Sequence, residues 1–234
     1  LIYYPEHWPR AMWEDDLRRI REMGFSILRV GEFSWTYFEP EEGRYTFDFW
    51  DDFLALAERY GMRIIFGTPT ATPPAWLTHR YPEVLNARRD GVSYTHGSRR
   101  HYNYNSPVYR RLCCALVEQI ARRYGHHPAI IGWQIDNELN CEVEEFYSPC
   151  DQAAFRVWLR KKYETLDRLN EAWGTAFWNQ QYSDWEQVCL TGILPSGGYN
   201  PHQLLDERRF ISDSAIDFAM LQYDILKKHC SPAQ

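Results

Sequence analysis

The sequence has no long apolar run and no excess of positive charge, and both absences limit what it can bind. No stretch approaches the roughly 18 consecutive apolar residues that span a bilayer, so we expect no membrane segment. The formal net charge is −6, which argues against the electrostatic attraction that nucleic acids and anionic membranes require. The basic pairs Arg88-Arg89 and Arg99-Arg100 are too small to change this. We therefore predict neither a nucleic-acid nor a membrane partner.

Cysteine is too sparse for a disulfide framework. The six cysteines are spread over 234 residues without the dense spacing of small disulfide-rich domains. The first residues also lack the basic region and apolar stretch that mark a secretory signal. A reduced, cytoplasmic setting is therefore the expectation.

Aromatic residues, by contrast, are abundant, with 10 Trp, 16 Tyr and 12 Phe. Most of them must fill the sizeable core that a chain of this length can bury. Trp and Tyr also suit clefts that bind sugars, because the C–H faces of a sugar ring pack on aromatic rings while its hydroxyls form hydrogen bonds at the rim. The composition is compatible with a carbohydrate-binding cleft.

The first part of the chain repeats the order strand, loop, helix, glycine, strand. Runs typical of strands lie at 2–4, 25–30, 63–68 and 130–134, and helical patterns lie between them at 13–23, 48–60 and 107–124. Long loops follow only the strands, which predicts parallel strands, right-handed crossovers and a barrel with a functional C-terminal face. A doubly wound sheet is the alternative, but the Gly-rich phosphate loop that usually follows its first strand is missing.

The remaining residues leave no room for the other strands of a complete barrel. They contain helical patterns at 152–163, 166–173 and 206–228 and an irregular aromatic segment. We therefore predict an α/β protein that represents the first half of a (β/α)8 TIM barrel. Residues 1–234 are expected to be one partial catalytic domain, truncated at both ends.

The strand predicted at 130–134 leads into Asn137-Glu138, an amide beside a carboxyl. A carboxyl at the C-terminal end of a buried parallel strand lies where α/β barrels place their catalytic groups. Most loop glutamates are merely solvated, but the apolar residues before this one and its neighbours Trp133 and Gln134 favour a function. Glycoside hydrolysis uses two carboxyls, one of them as general acid/base, and Glu138 is the candidate for that role.

Three other loops that follow strands carry polar and aromatic residues expected to converge with Glu138 on one pocket. They lie at 6–8, 32–35 and 70–76. Arg99 lies on the long excursion between the third strand and its helix.

Seven segments of the chain, in this order, resemble glycoside hydrolase family 42. They are YYPEHWP (3–9), GEFSW (31–35), EPEEGRY (39–45), TPPAWL (72–77), RRHY (99–102), WQIDNE (133–138) and LNEAWGT (169–175). The resemblance covers nearly the whole chain, and the common order of several motifs makes it specific. It implies a glycosidase domain of the (β/α)8 type that removes terminal non-reducing β-D-galactose from β-D-galactosides by a retaining, double-displacement mechanism.

The resemblance also implies roles for individual residues. Glu138 would be the proton donor, Arg99 and Asn137 would contact the bound galactose, and Trp178 would help to wall the site. Burial among aromatic residues and a nearby anion would keep Glu138 protonated near neutral pH. The family's nucleophile is a Glu on a later strand, which we expect beyond Gln234. The isolated fragment should then be inactive, and poorly soluble because of its open strand edges.

Many members of the family hold a structural zinc, and here this sequence departs from the pattern. The cysteine expected just after RRHY is replaced by Asn103, and only Cys141 and Cys150 remain where a tight cysteine cluster is expected after the acid/base. Zinc requires four ligands, and two separated thiols do not make a site. The other candidates do not complete one: His126, His127, Cys113 and Cys114, the last two of which are expected in the core. We predict no metal and no cofactor.

Two alternatives stay open. The first is another retaining glycosidase on the same barrel, an α-L-arabinosidase or a β-glucosidase, since arabinopyranose and galactose share their ring stereochemistry. The second is a non-catalytic sugar-binding or assembly fragment, which the missing second carboxylate favours for the isolated chain. The homotrimer common in the family is one assembly open to the complete protein.

Overall fold

The computed structural model of the protein describes residues 1–143, 146–195 and 197–232. Its sheet has three parallel strands in the order β1-β2-β3, at Ile27–Val30, Arg63–Gly67 and Ile130–Gln134. The first predicted strand is reduced to a parallel bridge between Ile2 and Arg29. Its backbone is nevertheless paired with β1, because Arg29 N donates to Leu1 O at 2.8 Å. The four segments thus lie side by side in sequence order, as a barrel requires.

The part of the chain that the structure describes contains eight α-helices. In chain order they are α1 (Trp13–Glu22), α2 (Trp35–Phe38), α3 (Asp48–Arg59), α4 (Ala75–Arg80), α5 (Pro107–Tyr124), α6 (Pro149–Tyr163), α7 (Leu166–Trp173) and α8 (Pro201–His229). Helices α1, α3 and α5 are the predicted connections between strands. The short helices α2 and α4 lie in the loops after β1 and β2 and were not predicted from the sequence.

Local capping rules explain most helix boundaries. Ser106 accepts a hydrogen bond from Tyr109 N, and Pro107 occupies the first position of α5, as the sequence predicts. In α3, Phe47 occupies the N-cap position without a capping hydrogen bond, and Asp48 is the first helical residue. A carboxylate in the first turn still interacts favourably with the helix dipole.

The main core lies between the sheet and helices α1, α3 and α5. Phe66 from β2 packs between Trp50 of α3 and Tyr124 of α5, with ring centroids 5.0 and 5.8 Å away. Many of the large aromatic residues are fully buried there, which confirms that aromatics fill the core. Cys113 is among the buried residues of this core, also as predicted. All six cysteines are free thiols.

A second, smaller core joins α6, α7 and α8. Phe155, Trp173 and Phe210 pack together there. Buried Asp206 of α8 accepts hydrogen bonds from Trp173 Nε1 at 3.0 Å and from Tyr163 OH at 2.6 Å, which ties the three helices to one another. Within the described ranges, no helix is long and apolar enough to cross a membrane.

Candidate active site

The candidate site lies where the chain leaves β3, and its central contact is an ion pair. Arg99 Nη1 lies 2.8 Å from Glu138 Oε2. The two residues come from different loops, the excursion after β2 and the turn after β3. The structure therefore brings together two of the residues that the sequence assigns to one site.

Asp136 is a buried residue whose hydrogen bonds hold this turn in place. Its side chain is fully buried and accepts hydrogen bonds from Thr70 Oγ1 at 2.6 Å, from Arg100 Nη1 at 2.9 Å and from Tyr102 OH at 3.1 Å. Its own N–H donates to Thr68 Oγ1 at 2.7 Å. The end of β3 is thus fixed to the loop after β2 and to the 99–102 segment.

Asn137 is buried between Asp136 and Glu138, and its amide group is oriented. Its backbone N–H donates to Asp136 Oδ1 at 2.7 Å, and its Oδ1 accepts from Gln134 Nε2 at 3.0 Å. Asp136 and Glu138 on either side have left-handed backbones, with φ of 56° and 48°. Non-glycine residues adopt this conformation at a cost of about 1–3 kcal/mol, and such strain is concentrated at functional sites.

The surroundings of Glu138 differ from the sequence-based expectation in one respect. Burial among aromatic residues was expected, but in this chain the side chain is 54% exposed. Among the described residues, its ion-pair partner is Arg99.

The loops after the first two strand segments also meet, as expected. Glu32 is fully buried, and its Oε1 accepts from Arg29 Nε at 3.0 Å and from Tyr4 OH at 3.2 Å. Burial, reinforced by the neighbouring Glu32 carboxyl, raises the pKa of Glu6 to about 7. The sequence places Glu6 in a convergent loop but gives no sign that its carboxyl is desolvated.

Phe33 connects these loops to the Arg99–Glu138 contact. Its ring lies 5.7 Å from the Tyr4 ring, and the guanidinium carbon of Arg99 lies 6.0 Å from its centroid. Its carbonyl accepts a hydrogen bond from Thr72 Oγ1 in the third loop at 3.3 Å. Phe33 therefore contacts the first strand segment, the loop after β2 and Arg99.

Glu142 is a residue of the site that sequence reasoning missed. Its carboxylate binds Arg99 through two guanidinium nitrogens, with Nε–Oε2 and Nη2–Oε1 distances of 3.0 and 2.8 Å. It lies in a loop of irregular backbone with no strand before it, so no sequence pattern marks it. A carboxylate four residues after Glu138 would have been the only available signal.

Trp178 lies apart from this contact. It is 68% exposed, its ring stacks on Phe177 at 4.6 Å, and it lines a cavity of about 410 Å³ with Trp173 and Tyr199. Among the described residues, no hydrogen bond or ring contact joins it to Glu138, Arg99 or Asn137. Its role in walling the site stays a prediction.

The residues at the family's zinc position do not fit a zinc ion. Asn103 Nδ2 donates to Ser148 Oγ and, at 2.6 Å, to Asp151 Oδ2, while Asn105 Nδ2 donates to Asp151 Oδ1 at 2.8 Å. An amide nitrogen is not a zinc ligand, and a single carboxylate cannot replace thiolates and imidazoles. No group of three or more His, Cys, Asp or Glu in the described ranges is arranged to hold a metal. Hydrogen bonds, not metal ligands, join these two segments.

Comparison with known proteins agrees with this geometry. The profile of glycoside hydrolase family 42, described as β-galactosidase, matches residues 2–234. β-Galactosidase BgaA of a Thermus species is 48% identical over 230 residues, which are 98% of this chain and 36% of that protein. The match to the crystal structure of the β-galactosidase from the psychrophilic Marinomonas ef1 has a TM-score of 0.95 at 42% identity, and it covers 99% of this chain and 35% of that one.

A third relative is the β-galactosidase from the Antarctic haloarchaeon Halorubrum lacusprofundi, with a TM-score of 0.94 at 40% identity over 98% of this chain and 34% of its own. The chain thus spans about a third of the length of the proteins that it matches. Its parallel strand order and its agreement with these structures make the fold that of the first half of a (β/α)8 barrel. The chain belongs to glycoside hydrolase family 42.

Proposed function

We propose that the complete protein hydrolyses β-D-galactosides with retention, releasing terminal non-reducing galactose, and that Glu138 is its proton donor. The observation that carries the proposal is the Arg99–Glu138 contact at the C-terminal end of a parallel sheet, in a chain of this family. The relatives named above are β-galactosidases, which favours galactosides over arabinosides and glucosides.

The reaction would proceed in two displacements. In the first, a carboxylate nucleophile attacks the anomeric carbon while protonated Glu138 gives its proton to the departing glycosidic oxygen. In the second, the Glu138 carboxylate takes a proton from water, which attacks the anomeric carbon and releases galactose and the nucleophile. We place the nucleophile on a Glu beyond Gln234, with its carboxyl about 5–5.5 Å from Glu138 as retention requires.

Arg99 and Asn137 would hold the sugar during these steps. The amide of Asn137 is fixed by Gln134, and it lies next to the acid/base, where it can hydrogen-bond a ring hydroxyl. Arg99 supplies N–H donors beside the Glu138 carboxyl. Trp178 would close the site from another part of the fold. Donors fixed before the substrate arrives lose little entropy when it binds.

The test is Glu138→Gln in the complete protein. Glutamine keeps the size of the side chain but cannot donate a carboxyl proton, so hydrolysis of lactose should fall by about 10²–10⁴-fold. An aryl galactoside with an acidic phenol needs little protonation, so its first displacement should persist, and azide should then yield β-galactosyl azide. Unchanged lactose hydrolysis would refute the assignment of Glu138 as proton donor. Faster cleavage of aryl glucosides or arabinosides than of aryl galactosides by the wild-type protein would refute galactosides as its substrates.

We further propose a cytoplasmic setting and a homotrimer for the complete protein. The free state of all six cysteines supports a reducing compartment. The net charge of −6 supports a protein without a nucleic-acid partner. Light scattering measures the assembly directly, and a monomeric mass would exclude the trimer.

A further inference from the structure

The guanidinium of Arg99 is held by two carboxylates at once. Glu142 binds its Nε at 3.1 and 3.0 Å from the two carboxylate oxygens and its Nη2 at 2.8 Å from Oε1. Glu138 binds the other terminal nitrogen, Nη1, at 2.8 Å. The two carboxylates therefore do not compete for the same N–H groups.

The donors of Arg99 can be counted. A guanidinium has five N–H groups in a fixed plane. Glu142 uses the Nε–H and one Nη2–H, and Glu138 uses one Nη1–H. One N–H on each terminal nitrogen is left for a ligand, and both directions are set because paired hydrogen bonds to Glu142 fix the plane of the group. The ring of Phe33, 6.0 Å from the guanidinium carbon, bounds it on one face.

The backbone brings Glu142 to this position by an unusual path. Asn140 and Glu142 have left-handed backbones, with φ of 63° and 66°, in continuation of those at Asp136 and Glu138. The N–H of Cys141 closes the turn on Glu138 O at 2.9 Å. This strained turn sends the chain back, so that the side chains of Glu138 and Glu142 both reach Arg99.

We propose that Glu142 is a positioning residue for Arg99, which keeps two N–H groups of the guanidinium directed at the galactose hydroxyls beside Glu138. The proposal rests on the proposed function. Ordering an arginine side chain costs conformational entropy, and the pair with Glu142 orders Arg99 before the sugar arrives. Without Glu142, Arg99 is free to turn and bind Glu138 through both terminal nitrogens, which directs its remaining N–H groups away from the sugar.

The experiment compares the variants Glu142→Gln and Glu142→Asp in the complete protein. Glutamine retains a single acceptor oxygen and no charge, so kcat/KM for lactose should fall about tenfold, mainly through a higher KM, and galactose should bind more weakly in calorimetry. Aspartate keeps the charge and should recover part of the loss. The melting temperature should not change, because the Glu142 side chain is 46% exposed.

The matched control is Glu118→Gln on the exposed face of α5. Glu118 also binds an arginine through two nitrogens, with Arg122 Nε and Nη2 at 3.1 and 2.6 Å from its Oε1. It lies outside the site, so its substitution should leave kcat and KM unchanged.

A double variant separates positioning from a general structural effect. In the Arg99→Ala background, Glu142→Gln should cause no further loss, because the group that it positions is gone. An equal loss in both backgrounds, or an unchanged KM in the single variant, overturns the role of Glu142. If Glu138→Gln still strongly reduces lactose hydrolysis in the same assays, the proposed function stands without that role. A wild-type protein that neither hydrolyses galactosides nor binds galactose overturns the proposed function together with it.

Discussion

Arg100 and Asp136 form a buried ion pair with an Nη1–Oδ1 distance of 2.9 Å, in which the side chains are only 2% and 0% exposed. Arg100 directly follows Arg99, and Asp136 is two residues before Glu138. The pair therefore fixes the two backbone segments that carry the exposed Arg99–Glu138 contact. A buried structural pair thus positions the neighbouring pair for which we propose a catalytic role, in keeping with the precision that catalytic geometry demands.

Breaking this buried pair should destabilise the whole protein. Asp136→Asn leaves the Arg100 guanidinium buried without a counter-charge, which typically costs about 3–5 kcal/mol. Urea denaturation of the complete protein measures the free energy of unfolding. The exposed Asp15, paired with Arg18 and Arg19 on α1, provides the control, and Asp15→Asn should leave the midpoint unchanged. Equal midpoints for the two variants would show that Asp136 is not the structural centre of the site.

Gly67 at the end of β2 should not tolerate a side chain. A Cβ at this position would lie 2.8 Å from Glu32 Cβ and 2.9 Å from Glu32 Cα. Gly67→Ala must therefore push the loop after β1 away, at a cost of about 1–3 kcal/mol. Gly192 has no atom within 4 Å of such a Cβ, and Gly192→Ala is the control. Thermal melts that place both variants at the wild-type temperature would contradict this close approach.

Glu6 should make stability depend on pH in a defined window. Because burial raises its pKa to about 7, from about 4.3 in the unfolded chain, the folded protein loses stability as pH rises from about 4 to about 7. Glu6→Gln removes this loss. The variant should be more stable than the wild type at pH 8, by about 3–4 kcal/mol, and similar to it at pH 4.

The control for this prediction is Glu41→Gln, since the side chain of Glu41 is 73% exposed and paired with Arg44. Its stability relative to the wild type should be the same at both pH values. Denaturation midpoints at pH 4 and pH 8 measure the difference, and a Glu6→Gln variant that is not favoured at the higher pH would contradict the buried carboxyl.

Metal removal should leave the protein intact. Asn103, Ser148, Asp151 and Asn105 join the 99–105 segment to α6 by hydrogen bonds, so EDTA should change neither the melting temperature nor galactosidase activity. Asp151→Ala should lower the free energy of unfolding by about 2–3 kcal/mol, because it leaves the buried amide of Asn103 and the partly buried amide of Asn105 without their carboxylate acceptor. One stoichiometric zinc by elemental analysis, lost together with stability in EDTA, would refute both expectations.

The sequence alone determined the order of the elements and the place of Glu138, the proposed acid/base. Alternating strand and helix patterns and local signals such as Ser106-Pro107 gave α5 and β3 their observed bounds, since these signals act within a few residues. The C-terminal ends of parallel strands meet at one edge of a sheet, so the same signals also predict that Glu138 lies at this edge with the other loops. The motifs of the family supplied Arg99 as its partner.

Only the tertiary structure decided how the site is held. Three features depend on contacts between loops that are distant in sequence: the binding of Glu142 to Arg99, the burial of the Glu6 carboxyl and the ion pair of Arg100 with Asp136. No local sequence pattern encodes such contacts. The exposure of the Glu138 side chain likewise depends on which segments pack beside it and not on the sequence around it. Local propensities fix where an element begins and ends, whereas side-chain partners and burial are set when separate segments pack together.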